Sequence, residues 1–161
     1  MREILFRGKR TDNGEWVEGF YVCLFEKEKG FYKPNHYIFD GNIKLGEERY
    51  VGHGNYVQEV TICKRKIDEK TVGQYTGLTD KNGNKVFEGD IVEEVYDTHR
   101  GSRYEVRMSE ERGGWYPFAR DDGCGCCSWE VANCDYCEVI GNIHDNPELL
   151  KEERDRCLNG T

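Results

Sequence analysis

Apolar and polar residues alternate along several short stretches of the chain, and turn residues separate these stretches. Alternation with a period of two is typical of β-strands that have one buried face. Two Asn-Gly pairs, at Asn13-Gly14 and Asn82-Gly83, each lie between two such stretches, and this pair favours a two-residue type I′ hairpin turn. Strands are predicted near residues 21–25, 36–39, 56–63, 104–108, 115–119 and 136–143.

The two hairpins resemble each other in sequence. Each Asn-Gly pair is followed by a Glu-Gly pair, Glu18-Gly19 in the first hairpin and Glu88-Gly89 in the second. Internal duplication and a convergent turn both account for so short a pattern. In either case, glycine inside an apolar stretch predicts a bulge, a kink or a close approach of two backbones.

A charge-rich stretch at residues 63–70 predicts a boundary between two halves of the chain. We expect an N-terminal β-rich subdomain at residues 1–66 and a C-terminal barrel-like subdomain at residues 67–150, with a cysteine-rich insertion at residues 121–137. Asp145-Asn146-Pro147 is a helix-start signal, which predicts a short C-terminal helix and tail at residues 146–161. The fold class is therefore mainly β, built from hairpins in a small barrel-like architecture.

The composition and net charge indicate which kinds of binding partner are favoured. Only 37% of the 161 residues are hydrophobic, but 10 Tyr, 7 Phe and 3 Trp supply large apolar side chains for a core. The net charge of −8 disfavours nucleic acid as a partner, because phosphate binding depends on clustered Lys and Arg. The N-terminus has no apolar signal-peptide core and no segment is long enough to span a membrane, so we expect a cytoplasmic protein.

Five short motifs resemble the YopX family of bacteriophage and prophage proteins, and they occur in order along nearly the whole chain. They are FRGK at 6–9, QYTGL at 74–78, EGDIV at 88–92, VIGNI at 139–143 and NPELL at 146–150. The resemblance implies a β-rich accessory protein of a phage or prophage, located in a bacterial cell. It supplies no catalytic residue, and the cysteine-rich stretch is outside the family pattern.

Five of the eight cysteines fall within 14 residues. Zinc favours four thiolates in a tetrahedron, and a Cys-x-x-Cys spacing lets two of them reach one ion. Four of the five predict a candidate zinc site, while disulfides are disfavoured in a reducing cytosol. The alternative is a cysteine-rich loop before a strand in which Cys134 or Cys137 packs as a small hydrophobic residue. The five candidate ligands are Cys124, Cys126, Cys127, Cys134 and Cys137.

No set of residues indicates catalysis. His36, His53, His99 and His144 are scattered, and none belongs to a local nucleophile signature. The acidic residues of the EGDIV motif flank a turn, where a solvated corner is a commoner role than acid–base chemistry. We therefore predict that the protein is not an enzyme and that it has no catalytic residues.

Basic residues in two runs form the weakest candidate site. They can contact nucleic acid beside aromatic side chains, which stack on unpaired bases, and small β-barrels are frequent single-strand binders. The basic candidates are Lys9, Arg10, Lys64, Arg65 and Lys66.

Taken as a whole, the sequence predicts a non-enzymatic protein that acts by binding a protein partner or by self-assembly. The alternative is a nucleic-acid-binding small-barrel module that contains a structural zinc ion.

Overall fold

A computed structural model describes residues 3–95, 100–111, 113–118 and 136–150. The fold is mainly antiparallel β with one short helix near the C-terminus, as the sequence predicts. The chain divides into two compact units, of which the first is Leu5–Val72 and the second contains the described residues from Gly73 onward. The division follows the 3-10 helix Glu69–Thr71, whereas the boundary predicted from the charge pattern precedes it.

Four antiparallel strands form the first unit, in the spatial order β4-β3-β2-β1. Its core is small and centres on Ile38, which is fully buried, together with Ile67 and Tyr37. The small core reflects the strands' length, because large parts of β3 and β4 extend beyond it. The strands are β1 (Phe6–Lys9), β2 (Trp16–Glu28), β3 (Phe31–Gly52) and β4 (Asn55–Lys66).

Glycine is required where β2 lies against β3. A Cβ atom at position 19 would collide with the carbonyl oxygen of Phe39, so only glycine allows the two backbones to approach so closely. The close backbone approach predicted for the Glu18-Gly19 pair is confirmed.

β3 is much longer than the sequence pattern predicts. The predicted strand at residues 36–39 does not end there, because Asp40-Gly41-Asn42 is only an irregularity inside one strand, where the register moves from Phe39↔Lys64 to Ile43↔Ile62. Gly41 has a φ of +80°, and the Asp40 carboxylate accepts a 3.0 Å hydrogen bond from the N–H of Asn42. These local features absorb the two extra residues without ending the strand.

The second unit contains a β5–β6 hairpin and a four-stranded sheet in the order β10-β7-β8-β9. A hydrophobic cluster of Val86, Val92, Tyr104, Val106 and Cys137 forms its core. A helix begins at residue 148. The strands are β5 (Gly73–Thr79), β6 (Lys85–Phe87), β7 (Asp90–Val95), β8 (Arg100–Ser109), β9 (Gly114–Phe118) and β10 (Cys137–Asn142).

The two Asn-Gly pairs do join hairpin strands, but the predicted type I′ turns are wrong. That turn needs positive φ at both central residues, and in each pair only the glycine has it, at +73° for Gly14 and +83° for Gly83. In the second hairpin the Asp80 carboxylate accepts hydrogen bonds from the N–H groups of Asn82 and Asn84, at 2.9 and 2.8 Å. This side chain selects a longer loop that the dipeptide alone does not reveal.

Within the described ranges, no helix is both long enough and apolar enough to cross a lipid bilayer.

Candidate functional site: an apolar face on a two-stranded ribbon

The segment from Ile43 to Ile62 forms a two-stranded ribbon, which we call the β3–β4 ribbon. β2 pairs with β3 only as far as Phe39, and from Ile43 onward β3 pairs with β4 alone. Among the residues whose burial is described in this segment, all are exposed except Gly52 at the turn. The ribbon is therefore a β-hairpin that the rest of its unit does not cover.

One face of the ribbon is apolar. Antiparallel partners point to the same side of a sheet, and residues two apart along β4 also share a face. The register therefore places Tyr56 and its partner Tyr50 on the face that also carries Ile62 and Leu45. Exposed fractions are 64% for Leu45, 58% for Tyr50, 61% for Tyr56 and 54% for Ile62, so this apolar face is open to solvent.

The opposite face of the ribbon is more polar. It carries the partners Lys44 and Thr61, and further along it Arg49 opposite Val57. Val57 is 46% exposed, and Val51, which follows Tyr50 on β3, is 50% exposed, so two aliphatic side chains interrupt an otherwise polar surface. The ribbon thus has the pattern of a half-buried sheet, yet its apolar side has no covering layer within the described chain.

Local contacts hold the ribbon in shape. The rings of Tyr50 and Tyr56 lie 5.3 Å apart in a tilted arrangement, which favours cross-strand pairing. Gln58 donates a 3.0 Å hydrogen bond from its side-chain amide to the carbonyl of Gly46. At the turn, the N–H of Gly54 donates to the hydroxyl of Tyr50 at 3.3 Å. The same tyrosine therefore supports both the turn and the apolar face.

A cleft of about 570 Å³ lies elsewhere in the first unit, where the end of β4 approaches β1. His36, with 18% of its side chain exposed, lines it. The hydroxyl of Tyr21 lies 2.6 Å from His36 Nδ1, and Glu69 Oε2 lies 2.8 Å from His36 Nε2, although off the line of an N–H hydrogen bond. Burial raises the pKa of the Tyr21 phenol, and the electrostatic effects of nearby Cys23 and Glu69 raise it further.

The structure divides the five predicted nucleic-acid-binding residues into two groups. Lys9, Arg10 and Lys66 line the cleft, although they come from opposite ends of the unit's sequence. The cleft is not strongly cationic, because Asp68 and Glu69 line it as well. Arg10 is also engaged by two carboxylates in its own loop, Asp12 at 2.6 Å and Glu15 at 3.5 Å.

The other two basic residues take part in ion pairs within the sheet. Lys64 Nζ lies 2.7 Å from Glu26 Oε1 and 4.1 Å from the centre of the Tyr37 ring. The hydrogen bond that Lys64 donates lowers the pKa of Glu26 most, and the one that the Tyr37 hydroxyl donates lowers it further. Arg65 Nε lies 3.3 Å from Asp40 Oδ2. These ion pairs stabilise the sheet surface and partly neutralise the positive charges of Lys64 and Arg65.

Four of the predicted zinc ligands, Cys124, Cys126, Cys127 and Cys134, lie outside the described residues. The fifth, Cys137, is fully buried in the hydrophobic core of the second unit. Such surroundings suit the alternative, in which a cysteine packs as a small hydrophobic side chain. Within the described ranges, no three His, Cys, Asp or Glu side chains are grouped as metal ligands, and the zinc site stays a prediction.

The acidic pair of the EGDIV motif has a structural arrangement. The Asp90 carboxylate accepts a 2.7 Å hydrogen bond from the N–H of Phe87 and one at 3.5 Å from the side-chain amide of Asn142. Burial, followed by the charge of Glu105, raises the pKa of Glu88 against the effect of a backbone hydrogen bond at Gln74. Asp90 thus anchors the turn between β6 and β7.

The histidines are not brought together. His53 lies in the ribbon turn with a φ of +54°, His144 is exposed, and His99 lies outside the described residues. Among the three histidines that the structure describes, His36 is the one with a partly enclosed position.

Sequence reasoning missed the apolar face of the ribbon. Its signal is the alternation of Tyr56, Gln58, Val60 and Ile62, which predicts a strand with a buried face. Alternation alone does not reveal whether the chain supplies the layer that covers that face.

Comparison with known proteins identifies one matching family model and one similar solved structure. The family model described as YopX protein matches residues 5–151. The chain is also similar to a solved structure described as the crystal structure of protein EF1440 from Enterococcus faecalis, with 27% sequence identity and a TM-score of 0.54. That likeness covers 93% of this chain and 99% of the other. No curated protein matches the chain.

Proposed function

The chain belongs to the YopX family, and from that premise we propose that it acts without catalysis, by binding protein through the apolar face of the β3–β4 ribbon. The observation that carries the proposal is that Leu45, Tyr50, Tyr56 and Ile62 are each more than half exposed on one face. Large apolar side chains that are exposed together on one face mark an interaction site, and here they form two groups on either side of the Glu48 and Gln58 pair. The role is that of a phage or prophage accessory protein in the bacterial cytoplasm.

The composition of this face suits protein recognition. Tyrosine is enriched where protein interfaces carry most of their binding energy, because it joins a large apolar ring to a hydroxyl. The apolar face carries its two tyrosines as an adjacent pair, and the register also places Glu48 on this face, opposite Gln58.

The positions of the EGDIV acids, as far as the structure describes the chain, also support a binding role. Within the described residues, Asp90 is occupied with the turn at Phe87, and the acids of the EGDIV motif do not line the cleft. A general acid or base needs access to a substrate in a concave site. The cleft at His36 brings together a histidine and two carboxylates but no cysteine or serine.

A pull-down from bacterial host lysate tests the proposal. The bait is the tagged full chain, with nuclease present and with Tyr56→Glu and Val57→Glu variants in parallel. The two positions are neighbours on β4 but lie on opposite faces. We expect wild type and Val57→Glu to capture a stoichiometric protein partner and Tyr56→Glu to lose it. A second copy of this chain, supplied with a different tag, counts as such a partner. Equal capture by all three baits would contradict the proposal.

Binding of single-stranded nucleic acid is a second candidate function, favoured by the convergence of Lys9, Arg10 and Lys66 at the cleft. The carboxylates beside them and the acidity of the chain weigh against it. Titration of labelled single-stranded DNA and RNA at two salt concentrations tests it, because phosphate contacts weaken steeply with salt. Binding that falls with salt and with Lys66→Glu would support this candidate, and flat titrations would remove it.

A structural zinc ion is the one cofactor that the sequence predicts. Its ligands would be four of the five cysteines between Cys124 and Cys137, whose thiolates suit zinc. Elemental analysis of the purified chain tests it, with one zinc per chain as the expected result and a metal-free folded protein as the contradicting one.

A further inference from the structure

We propose that the occupant of the ribbon's apolar face is a second copy of this chain, whose own β3–β4 ribbon packs against it face to face. This inference rests on the proposed function and names the partner for it. The two ribbons form a small four-stranded sandwich, with the tyrosine pair of each copy and the Leu45 and Ile62 side chains between them. Two layers packed in this way lie about 10 Å apart.

The isolated ribbon needs such a layer. A two-stranded hairpin is marginally stable by itself in water, and a packed hydrophobic face is what stabilises larger sheets. Here the ribbon contains residues 43–52 of β3 and 55–62 of β4, which is longer than the roughly 5–6 residues of a common strand. A second ribbon of the same sequence supplies the missing layer.

The charge distribution favours contact between two copies through their ribbons rather than through other parts of the chain. The whole chain carries a net charge of −8, which opposes contact between two copies elsewhere. Residues 43–62 contain two cations, Lys44 and Arg49, and three carboxylates, so the ribbon is close to neutral. Lys44 and Arg49 lie on the outward face together with Glu59, where they stay in water when the apolar faces meet.

The polar pair on the apolar face is compatible with a copy of itself. Glu48 and Gln58 are direct partners across the two strands and separate the tyrosines from Leu45 and Ile62. When the twofold axis runs along the ribbon, β3 of one copy faces β4 of the other, so each Glu48 carboxylate faces a Gln58 amide. Gln58 uses one N–H on Gly46 and has a second N–H to donate.

The area is adequate for a reversible dimer. Large side chains bury roughly 150–250 Å² each, so four that are more than half exposed offer about 400 Å² per copy. That is about half of the roughly 800 Å² that one partner contributes to a standard interface. Glu48, Gln58 and the ribbon backbone supply further area around the apolar centre.

Sedimentation equilibrium on the full chain, from about 5 to about 200 μM, tests this proposal. We expect wild type to approach twice the chain mass of 18.8 kDa as concentration rises. Tyr56→Glu should weaken the dimer by about 100-fold, because it places a carboxylate between the apolar faces. Val57→Glu is the matched control, with the same new charge on the neighbouring exposed residue of the outward face, and it should change the dissociation constant less than about 3-fold.

Two results would overturn the inference. One is a wild-type chain that stays monomeric across the whole concentration range. The other is equal weakening by both variants, since pairing through the edge of β4 would respond to both alike. The outcome also separates this inference from the proposed function, because a monomeric chain that still captures a different protein through Tyr56 refutes the dimer and leaves the protein-binding role intact.

Discussion

The carboxylate of Asp80 accepts a 3.1 Å hydrogen bond from the backbone N–H of Val139, 59 residues further along the chain. The same carboxylate receives the N–H groups of Asn82 and Asn84. A single buried side chain, 4% exposed, therefore closes the β5–β6 loop and ties β10 to it. This arrangement explains the structural role of the aspartate that precedes the Asn82-Gly83 pair.

Asp80→Asn should destabilise the second unit by about 2–3 kcal/mol. The substitution removes the negative charge that several N–H groups share and turns an amide donor towards one of them. Urea denaturation gives the free energy of unfolding. Asp12→Asn is the control, because Asp12 is an exposed carboxylate in the other hairpin loop. Its ion pair with Arg10 is open to solvent, so we expect a much smaller change from it. Equal effects at both positions would refute this role for Asp80.

The Asp80 effect should depend on pH. Burial acts to raise the pKa of Asp80, but hydrogen bonds from Val139, Asn84 and Asn82 outweigh it and lower the pKa below the ordinary 3.8. The stabilisation is therefore complete above about pH 3.8 and is lost as pH falls through the folded-state pKa. Unfolding curves at several acidic pH values should show wild type and Asp80→Asn converging, and a constant difference would contradict this.

Glu88→Gln should change the stability in the opposite direction from Asp80→Asn and stabilise the protein. Burial raises the pKa of this half-buried carboxyl above its ordinary 4.5, so folding disfavours its charged form. The penalty is absent below about pH 4.5, grows as pH rises from there towards the folded-state pKa, and is complete above it. At pH 7 we expect the variant to be more stable by less than about 1 kcal/mol. Glu111→Gln, in the exposed β8–β9 turn, is the control, and a loss of stability in Glu88→Gln would refute the prediction.

Gly19→Ala should destabilise the first unit by about 2–4 kcal/mol, because the new methyl group meets the carbonyl of Phe39. Gly14→Ala offers a comparison at a glycine with positive φ and no atom within 4 Å of a built Cβ. There we expect only the backbone cost, about 1 kcal/mol. Thermal unfolding distinguishes the two, and equal losses would show that the contact with Phe39 is unimportant.

Cys137→Ala and Cys137→Ser separate the two readings of the cysteine-rich region. In the hydrophobic core the alanine variant should lose about 1–2 kcal/mol of stability, and the serine variant should lose more because its hydroxyl is buried among apolar side chains. A zinc ligand would behave differently, since both variants would remove the thiolate alike and lower the zinc-to-protein ratio. Denaturation combined with elemental analysis measures both effects.

The ribbon should open locally when the protein is dilute. Its backbone hydrogen bonds have little side-chain cover, whereas Ile91 and Val92 of β7 are fully buried. Amides of residues 43–62 should exchange at least about 100-fold faster than those of β7. Hydrogen exchange measured by mass spectrometry below about 1 μM checks this, and equal protection of the two segments would contradict it.

Sequence patterns were informative where the physical cause is local. Alternating side chains and Asn-Gly pairs were enough to predict strands and hairpins, since both depend on neighbouring residues. The length of β3 was not predictable, because Asp40-Gly41-Asn42 has the composition of a turn and only its pairing with β4 makes it an irregularity within a strand. The loop after Asp80 likewise depends on a bond from a distant strand.

The candidate sites show the same limit. The basic runs were recognisable, but their separation into cleft residues, such as Lys9 and Lys66, and paired residues, such as Lys64, depends on contacts between distant strands. The apolar face was visible as alternation and was read as one face of an ordinary strand. Its exposure is a property of what the fold leaves uncovered, which no short stretch of sequence encodes.

The position of the β3–β4 ribbon has an evolutionary consequence. Its exposed side chains belong to neither core, which centre on Ile38 and on the cluster around Val92. Substitutions at Leu45 or Ile62 can therefore accumulate with little effect on either core, while each alters the surface that a partner meets. A genome under changing selection can retarget such a protein by drift and selection at a few ribbon positions, and the scaffold that presents them remains constant.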